Sequence, residues 1–130
     1  MAGSSDGAPP DIACVVASID GQNTQYRAEM REQRARCEMV VDMEGMVTSL
    51  LKQYRVSNKG KAPDRILFYR DGVSEGEYQA VVDQEVAAIK KACRGIDPKY
   101  KPKITYMICG KRHHLRYVCR LKLTILRAGN

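Results

Sequence analysis

Asp71 has the strongest sequence context for chemistry in this chain. It follows the short apolar run Ile66 to Tyr69 (ILFY) in the string Tyr69-Arg70-Asp71-Gly72, and an amphipathic stretch begins a few residues later. A carboxylate just past the carboxyl end of a buried strand and just before a helix stands where open α/β sheets bind their ligands. Gly72 lets the backbone turn sharply there. An aspartate in a solvated loop has the same local pattern. A calcium loop is excluded: Asp71, Glu75 and Gly76 give its outline, but Val73 takes a ligand position and Val82 stands where the closing carboxylate is needed. Metal-assisted phosphoryl transfer needs several carboxylates around two Mg²⁺ ions roughly 4 Å apart. Asp20 and Glu38 are the further candidates. Asp20 also suits an Asp-Gly turn, and Glu38 suits the first turn of a helix, where the dipole favours a carboxylate.

A second group is cationic. Lys111, Arg112, His113, His114 and Arg116 follow the apolar run Ile104 to Cys109. Lysine and arginine placed there can cradle phosphates. Adjacent histidines do not share a helix face, which excludes a zincin-like pair. Cys109, His113, His114 and Cys119 match no common zinc-finger spacing. The charge distribution points the same way. Of 22 basic and 15 acidic residues, 14 basic and all 15 acidic ones lie within residues 1–100, leaving 8 basic and no acidic residues in 101–130. The whole net charge of +7 therefore arises in the last quarter of the chain. Such a block suits an anionic partner, most often nucleic acid, as well as an ordinary basic surface.

The remaining composition bounds the class. With 130 residues, 44% apolar and 28% charged, this is one domain's worth of an ordinary globular protein or a piece of a larger one. No apolar run approaches the roughly 20 residues of a membrane-spanning helix, so no membrane partner is expected. Met1 to Pro10 lacks the basic cluster and apolar core of a secretory signal and reads as a polar tail. The five cysteines are odd in number and have no C-x-x-C spacing, which fits a reducing compartment, cytoplasmic or nuclear.

The elements that must position Asp71 can be read from periodicity. Ile12 to Ile19 (IACVVASI) and Ile66 to Tyr69 are continuous apolar runs, the pattern of strands buried on both faces. Tyr26, Ala28 and Met30 alternate with Arg27, Glu29 and Arg31, the pattern of a strand with one wet face, paired in a hairpin with the first strand. Met39, Val40, Met43, Met46, Val47, Leu50, Leu51 and Tyr54 form one helical stripe, with Glu38 at its start. Ser57 to Pro63 is a polar loop. Ser74 and Glu77 form a capping box for a second helix, whose buried face is Tyr78, Val81, Val82, Val86, Ile89 and Cys93 and whose end is set by Gly95. Ile104 to Cys109 is a further strand, and Leu121 to Leu126 has the pattern of another. A strand-helix-strand-helix-strand series implies largely parallel strands joined by crossovers.

Taken together, Tyr69-Arg70-Asp71-Gly72-Val73-Ser74-Glu75-Gly76 and the later Lys111-Arg112-His113-His114 resemble the Piwi domain of eukaryotic Argonaute proteins. Ile12-Ala13, Val15-Val16, Ser18-Ile19-Asp20-Gly21 before Tyr26, and Tyr100 with Pro102 and Ile104-Thr105 support it. The likeness covers residues 10 to 119. It implies an α/β fold of the RNase H-like kind, a mixed sheet flanked by helices, and an activity that cleaves RNA opposite a small guide RNA with Mg²⁺. By resemblance Asp71 is a catalytic, metal-binding aspartate, and Glu38 is the glutamate that swings into the site, while Asp20 keeps its turn role. Lys111, Arg112, His114 and Arg116 fall on positions that contact the guide backbone. The implied partners are a small guide RNA, its target RNA and silencing-complex proteins.

The departures from the family pattern shape the expectation. The Gly-x-Asp-Val strand with the first catalytic aspartate has no counterpart in this sequence, nor has the fourth ligand, and residues after Cys119 leave the pattern. The chain is thus expected to hold a disordered tail (1–10), a partial Piwi domain (11–119) and a divergent tail (120–130). The sheet is expected to be incomplete, lacking the first central strand, unless Leu121 to Leu126 folds back into the gap. The parent activity is guide-directed endoribonuclease; the alternative is a non-catalytic RNA-binding remnant. If Lys111 and Arg112 each neutralise a phosphate of single-stranded RNA, the Lys111→Ala/Arg112→Ala variant should lower the slope of log affinity against log salt by roughly 1.4, at about 0.7 per phosphate. Titrations at several salt concentrations check this; an unchanged slope rejects the assignment.

Overall fold

The computed structural model describes residues 10–20, 22, 24–34, 39–73, 75–110 and 121–129. Along the chain come β1 (Asp11–Ser18), β2 (Tyr26–Gln33), α1 (Met43–Ser57), β3 (Arg65–Val73), a 3₁₀ turn (Glu75–Glu77), α2 (Tyr78–Ile96), β4 (Lys103–Gly110) and β5 (Leu121–Gly129). The strands form one sheet in the order β2-β1-β5-β3-β4. β1 pairs antiparallel with β2 and parallel with β5, and β3 pairs antiparallel with β5 and parallel with β4. β2, β3 and β4 therefore all run the same way, as the alternation of strands and helices implies. Among the described residues no helix is long and apolar enough to cross a membrane.

Alternation along each strand decides which side chains meet the helices. Ala13, Val15 and Ala17 of β1 and Ile66 and Phe68 of β3 are buried with the apolar stripe of α1 and with Ile89, Ala92 and Cys93 of α2 in one core. The rings of Phe68 and Tyr106 stack at 5.2 Å between centroids. β3 is not buried on both faces, as its continuous apolar run suggests. Ile66, Phe68 and Arg70 are covered, whereas Leu67 and Tyr69 are half-buried. β2 inverts its expected facing. Tyr26 and Met30 are 48% and 61% exposed, while Glu29 and Arg31 are the half-buried ones. The cause is the polar flank of α1: Ser49 Oγ and Gln53 Nε2 both donate to Glu29, at 2.9 and 3.1 Å. Register with β1 puts Tyr26, Ala28 and Met30 beside Ser18, Val16 and Cys14.

Three helix boundaries also differ from the sequence pattern. α1 starts at Met43, not at Met39: the Met39 carbonyl accepts from Gln33 Nε2 rather than from the helix, and the Asp42 carbonyl accepts the Met46 N–H at 3.0 Å. Glu44, rather than Glu38, is the first-turn acid. α2 starts at Tyr78 after the 3₁₀ turn, with no side-chain hydrogen bond from its N-cap Glu77; Ser74, the other half of the expected capping box, lies outside the described residues. Gly95 is inside α2, which ends at Ile96 where Asp97 turns extended ahead of Pro98. The polar loop after α1 is found where expected. Gly60 adopts a left-handed backbone (φ 83°) and its N–H closes onto the Arg55 carbonyl at 2.7 Å.

β5 occupies the middle of the sheet, with Ile12 to Ala17 on one side and Arg65 to Arg70 on the other. β1 and β3 run in opposite directions. A strand between them must be parallel to one and antiparallel to the other whichever way it runs, so the slot accepts a strand of either polarity. Without β5 both flanking strands become inner edges, and each unpaired buried backbone group costs roughly 1–3 kcal/mol. Several such groups equal the roughly 5–15 kcal/mol of a whole domain's stability. Deleting Arg120 to Asn130 should therefore abolish the cooperative unfolding transition followed by circular dichroism. A truncated chain that melts as sharply and at the same temperature as the full one would show that β5 does not complete the sheet.

Candidate nucleic-acid interface and its strand-end carboxylate

Asp71 lies near the carboxyl end of β3 and is exposed. In register it stands across from Cys109 of β4. Because β2, β3 and β4 are parallel to one another, Gln33, Val73 and Gly110 close the same end of the sheet. β5 begins there too, since Leu121 pairs with Ile12 near the start of β1. Both described residues that flank the 111–120 segment, Gly110 and Leu121, thus sit at Asp71's end of the sheet. Lys111, Arg112, His114 and Arg116 themselves lie outside the described residues, as does Glu38.

The segment that carries Glu38 is anchored on either side of it. Gln33 Nε2 donates to the Met39 carbonyl at 2.7 Å, and Gln33 Oε1 accepts the Val41 N–H at 3.0 Å. One side-chain amide at the end of β2 therefore closes the base of the excursion between β2 and α1. Asp20 plays the part expected of it: its carboxylate accepts from the Thr24 and Gln25 N–H groups and the Thr24 hydroxyl. The Thr24 side chain and the Gln25 amide hold its carboxyl below the usual aspartate value.

Periodicity missed the residue that ties this end together. The apolar stripe Tyr78, Val81, Val82, Val86, Ile89 and Cys93 of α2 leaves out Glu85. The buried face is instead Val81, Glu85, Ile89, Ala92 and Cys93. Glu85 is 1% exposed and Arg70 is fully buried. Arg70 Nε donates to both Glu85 oxygens, at 2.9 and 3.1 Å, and Tyr106 Oη donates to Oε1 at 2.7 Å. Val40 N–H donates to Oε2 at 3.0 Å, and Arg70 Nη1 donates to the Asp71 carbonyl at 2.6 Å. A carboxylate is acceptable in a core only when paired and hydrogen-bonded, and here three elements supply its donors. The signal available in the sequence was that Glu85 sits four residues after Val81 and four before Ile89, on the stripe itself.

Among the described residues, no three His, Cys, Asp or Glu side chains come together as a metal site. Asp71 by itself does not fill the ligand set of a pair of Mg²⁺ ions. Cys14 and Cys93 are buried free thiols, and burial pushes Cys93 up to about 11, which keeps it protonated and unreactive near neutral pH.

The family model for the Piwi domain matches residues 1–124. The chain belongs to the Piwi domain family. Its fold resembles that of the Kluyveromyces polysporus Argonaute solved with a guide RNA, with a TM-score of 0.68, 24% identity, and coverage of 85% of this chain and 16% of that one. The C-terminal lobe of a budding yeast Argonaute gives the same TM-score and identity over 85% of this chain and 26% of its own. The Piwi-domain chain thus has an α/β, RNase H-like fold and spans 16% and 26% of the length of these neighbours.

Two phenols of the Piwi-domain chain give a pH prediction. Tyr106 is raised well above the ordinary tyrosine value, first by burial and then by the Glu85 carboxylate. Tyr100, whose hydroxyl donates to the Pro63 carbonyl, is raised mainly by burial. A phenol that holds its proton more tightly when folded contributes its full stability below about pH 10, the unfolded value, and loses it as pH rises beyond that. Urea unfolding should show stability falling above about pH 10, with tyrosinate absorbance appearing together with unfolding. Tyr106→Phe should flatten that fall; an identical alkaline slope in the variant would refute the assignment.

Proposed function

We propose that this chain serves guide-RNA-directed nucleic-acid recognition, with the sheet end bearing Asp71 as the face turned to RNA. The observation that supports the reading is topological. The exposed Asp71, the base of the Glu38 segment and both flanks of the cationic 111–120 segment share one end of the sheet. A strand-end carboxylate beside phosphate-binding cations suits a backbone phosphate as ligand. In this reading Lys111, Arg112, His114 and Arg116 hold the guide backbone, and Asp71 and Glu38 are two of the carboxylates of a Mg²⁺-dependent slicing site in the complete protein. Guide RNA, target RNA and silencing-complex proteins are its proposed partners, and gene silencing by RNA interference its proposed setting.

For the chain by itself the reading is RNA binding without cleavage. Incubated with a small guide RNA, a complementary RNA and Mg²⁺, it should retain labelled RNA on a filter and leave the target intact. Cleavage at one fixed phosphate, abolished by Asp71→Ala, would show instead that the chain is a working slicer. Failure to retain RNA at low salt would reject the binding reading.

A further inference from the structure

Glu85 touches both segments that carry the proposed carboxylates, although it is neither exposed nor near either of them in sequence. Its Oε2 accepts the N–H of Val40, two residues past Glu38. Its two oxygens grip Arg70, whose Nη1 holds the carbonyl of Asp71 itself. The Tyr106 hydroxyl supplies a further donor from β4. Glu85 projects from α2, a helix of 19 residues, and is 1% exposed, so it is a fixed point rather than a surface contact.

We propose that Glu85 is a positioning residue. It sets the β3 end that bears Asp71 against the segment that leads from Glu38 into α1, through Arg70 on one side and the Val40 amide on the other. The proposal deepens the nucleic-acid reading above and rests on Asp71 and Glu38 being its working carboxylates. A buried ion pair kept only for stability makes a different forecast. Replacing such a pair with apolar side chains of similar volume often leaves stability unchanged or raised, and only the groups that lose a hydrogen bond would then respond.

The test is amide hydrogen exchange and chemical shift by NMR on the full chain, comparing wild type with Arg70→Met/Glu85→Leu. The double variant should remain folded, with wild-type exchange at Ile89 in the core of α2. The Val40 amide should exchange at least tenfold faster, because its acceptor is gone, and the loosening should reach amides that neither Glu85 nor Arg70 bonds, so the Met43 and Val73 signals should shift and broaden. Should the double variant not fold, Glu85→Gln serves instead: one uncharged amide oxygen with two lone pairs then replaces a carboxylate that serves Arg70 Nε, Tyr106 Oη and the Val40 N–H, and the same signals are read. A folded variant in which Met43 and Val73 behave as in the wild type would overturn the proposal. Neither readout uses RNA, so a failure of the nucleic-acid reading would appear in the filter-binding and cleavage assays and leave these exchange rates as they are.

Discussion

The Arg70–Glu85 ion pair is the constraint around which the rest of this structure is arranged. Removing two charges from water costs several kcal/mol each, and mutual attraction offsets that only if the remaining valences are satisfied. Here they are met from β3, β4 and the approach to α1. The consequences spread outward. Ahead of α1, the Val40 N–H is held by Glu85. Tyr106 is turned inward, with its ring on Phe68 and its hydroxyl on the carboxylate. The backbone at Asp71 is held by the same guanidinium. Losing one partner would leave a buried charge unpaired, a change of roughly 3–5 kcal/mol.

Strand direction does the corresponding work for the interface. With β2, β3 and β4 parallel and β5 starting at the same end, four chain segments enter or leave beside Asp71. The opposite end of β3 is a different environment. There the Tyr54, Lys59, Lys61 and Tyr100 side chains line a cleft of about 590 Å³ beside the loop that terminates α1. Asp64 joins them there, so the start of β3 combines a carboxylate with lysines and tyrosines, while Asp71 stands near its other end.

The sheet is also two-sided in a way its composition conceals. Both described helices meet the face that carries Ala13, Val15 and Phe68. On the other face, Ile12, Tyr26, Met30 and Met107 are between 43% and 61% exposed. Apolar alternation on an edge strand therefore marks this face, and the charged alternation marks the contact with α1, because Glu29 has hydroxyl and amide donors waiting on the helix.

By itself the sequence determined the order and kind of the elements, the direction of β2, β3 and β4, the turn made by Asp20 and the Piwi resemblance carried by YRDGVSEG and KRHH. These depend on local pattern: period two, period three to four, and short motifs whose residues are neighbours in the chain. Only the tertiary structure decided which faces are covered, where α1 and α2 begin and what fills the centre of the sheet. Glu85 shows why. A glutamate on an apolar stripe reads as an interruption until its partners are known, and they lie at Val40, Arg70 and Tyr106, which no local period connects. Burial of a charge is decided by donors that only folding brings together. The same holds for β5, whose run of apolar residues indicated a strand, while its place between β1 and β3 depends on backbone groups of two distant segments left without partners.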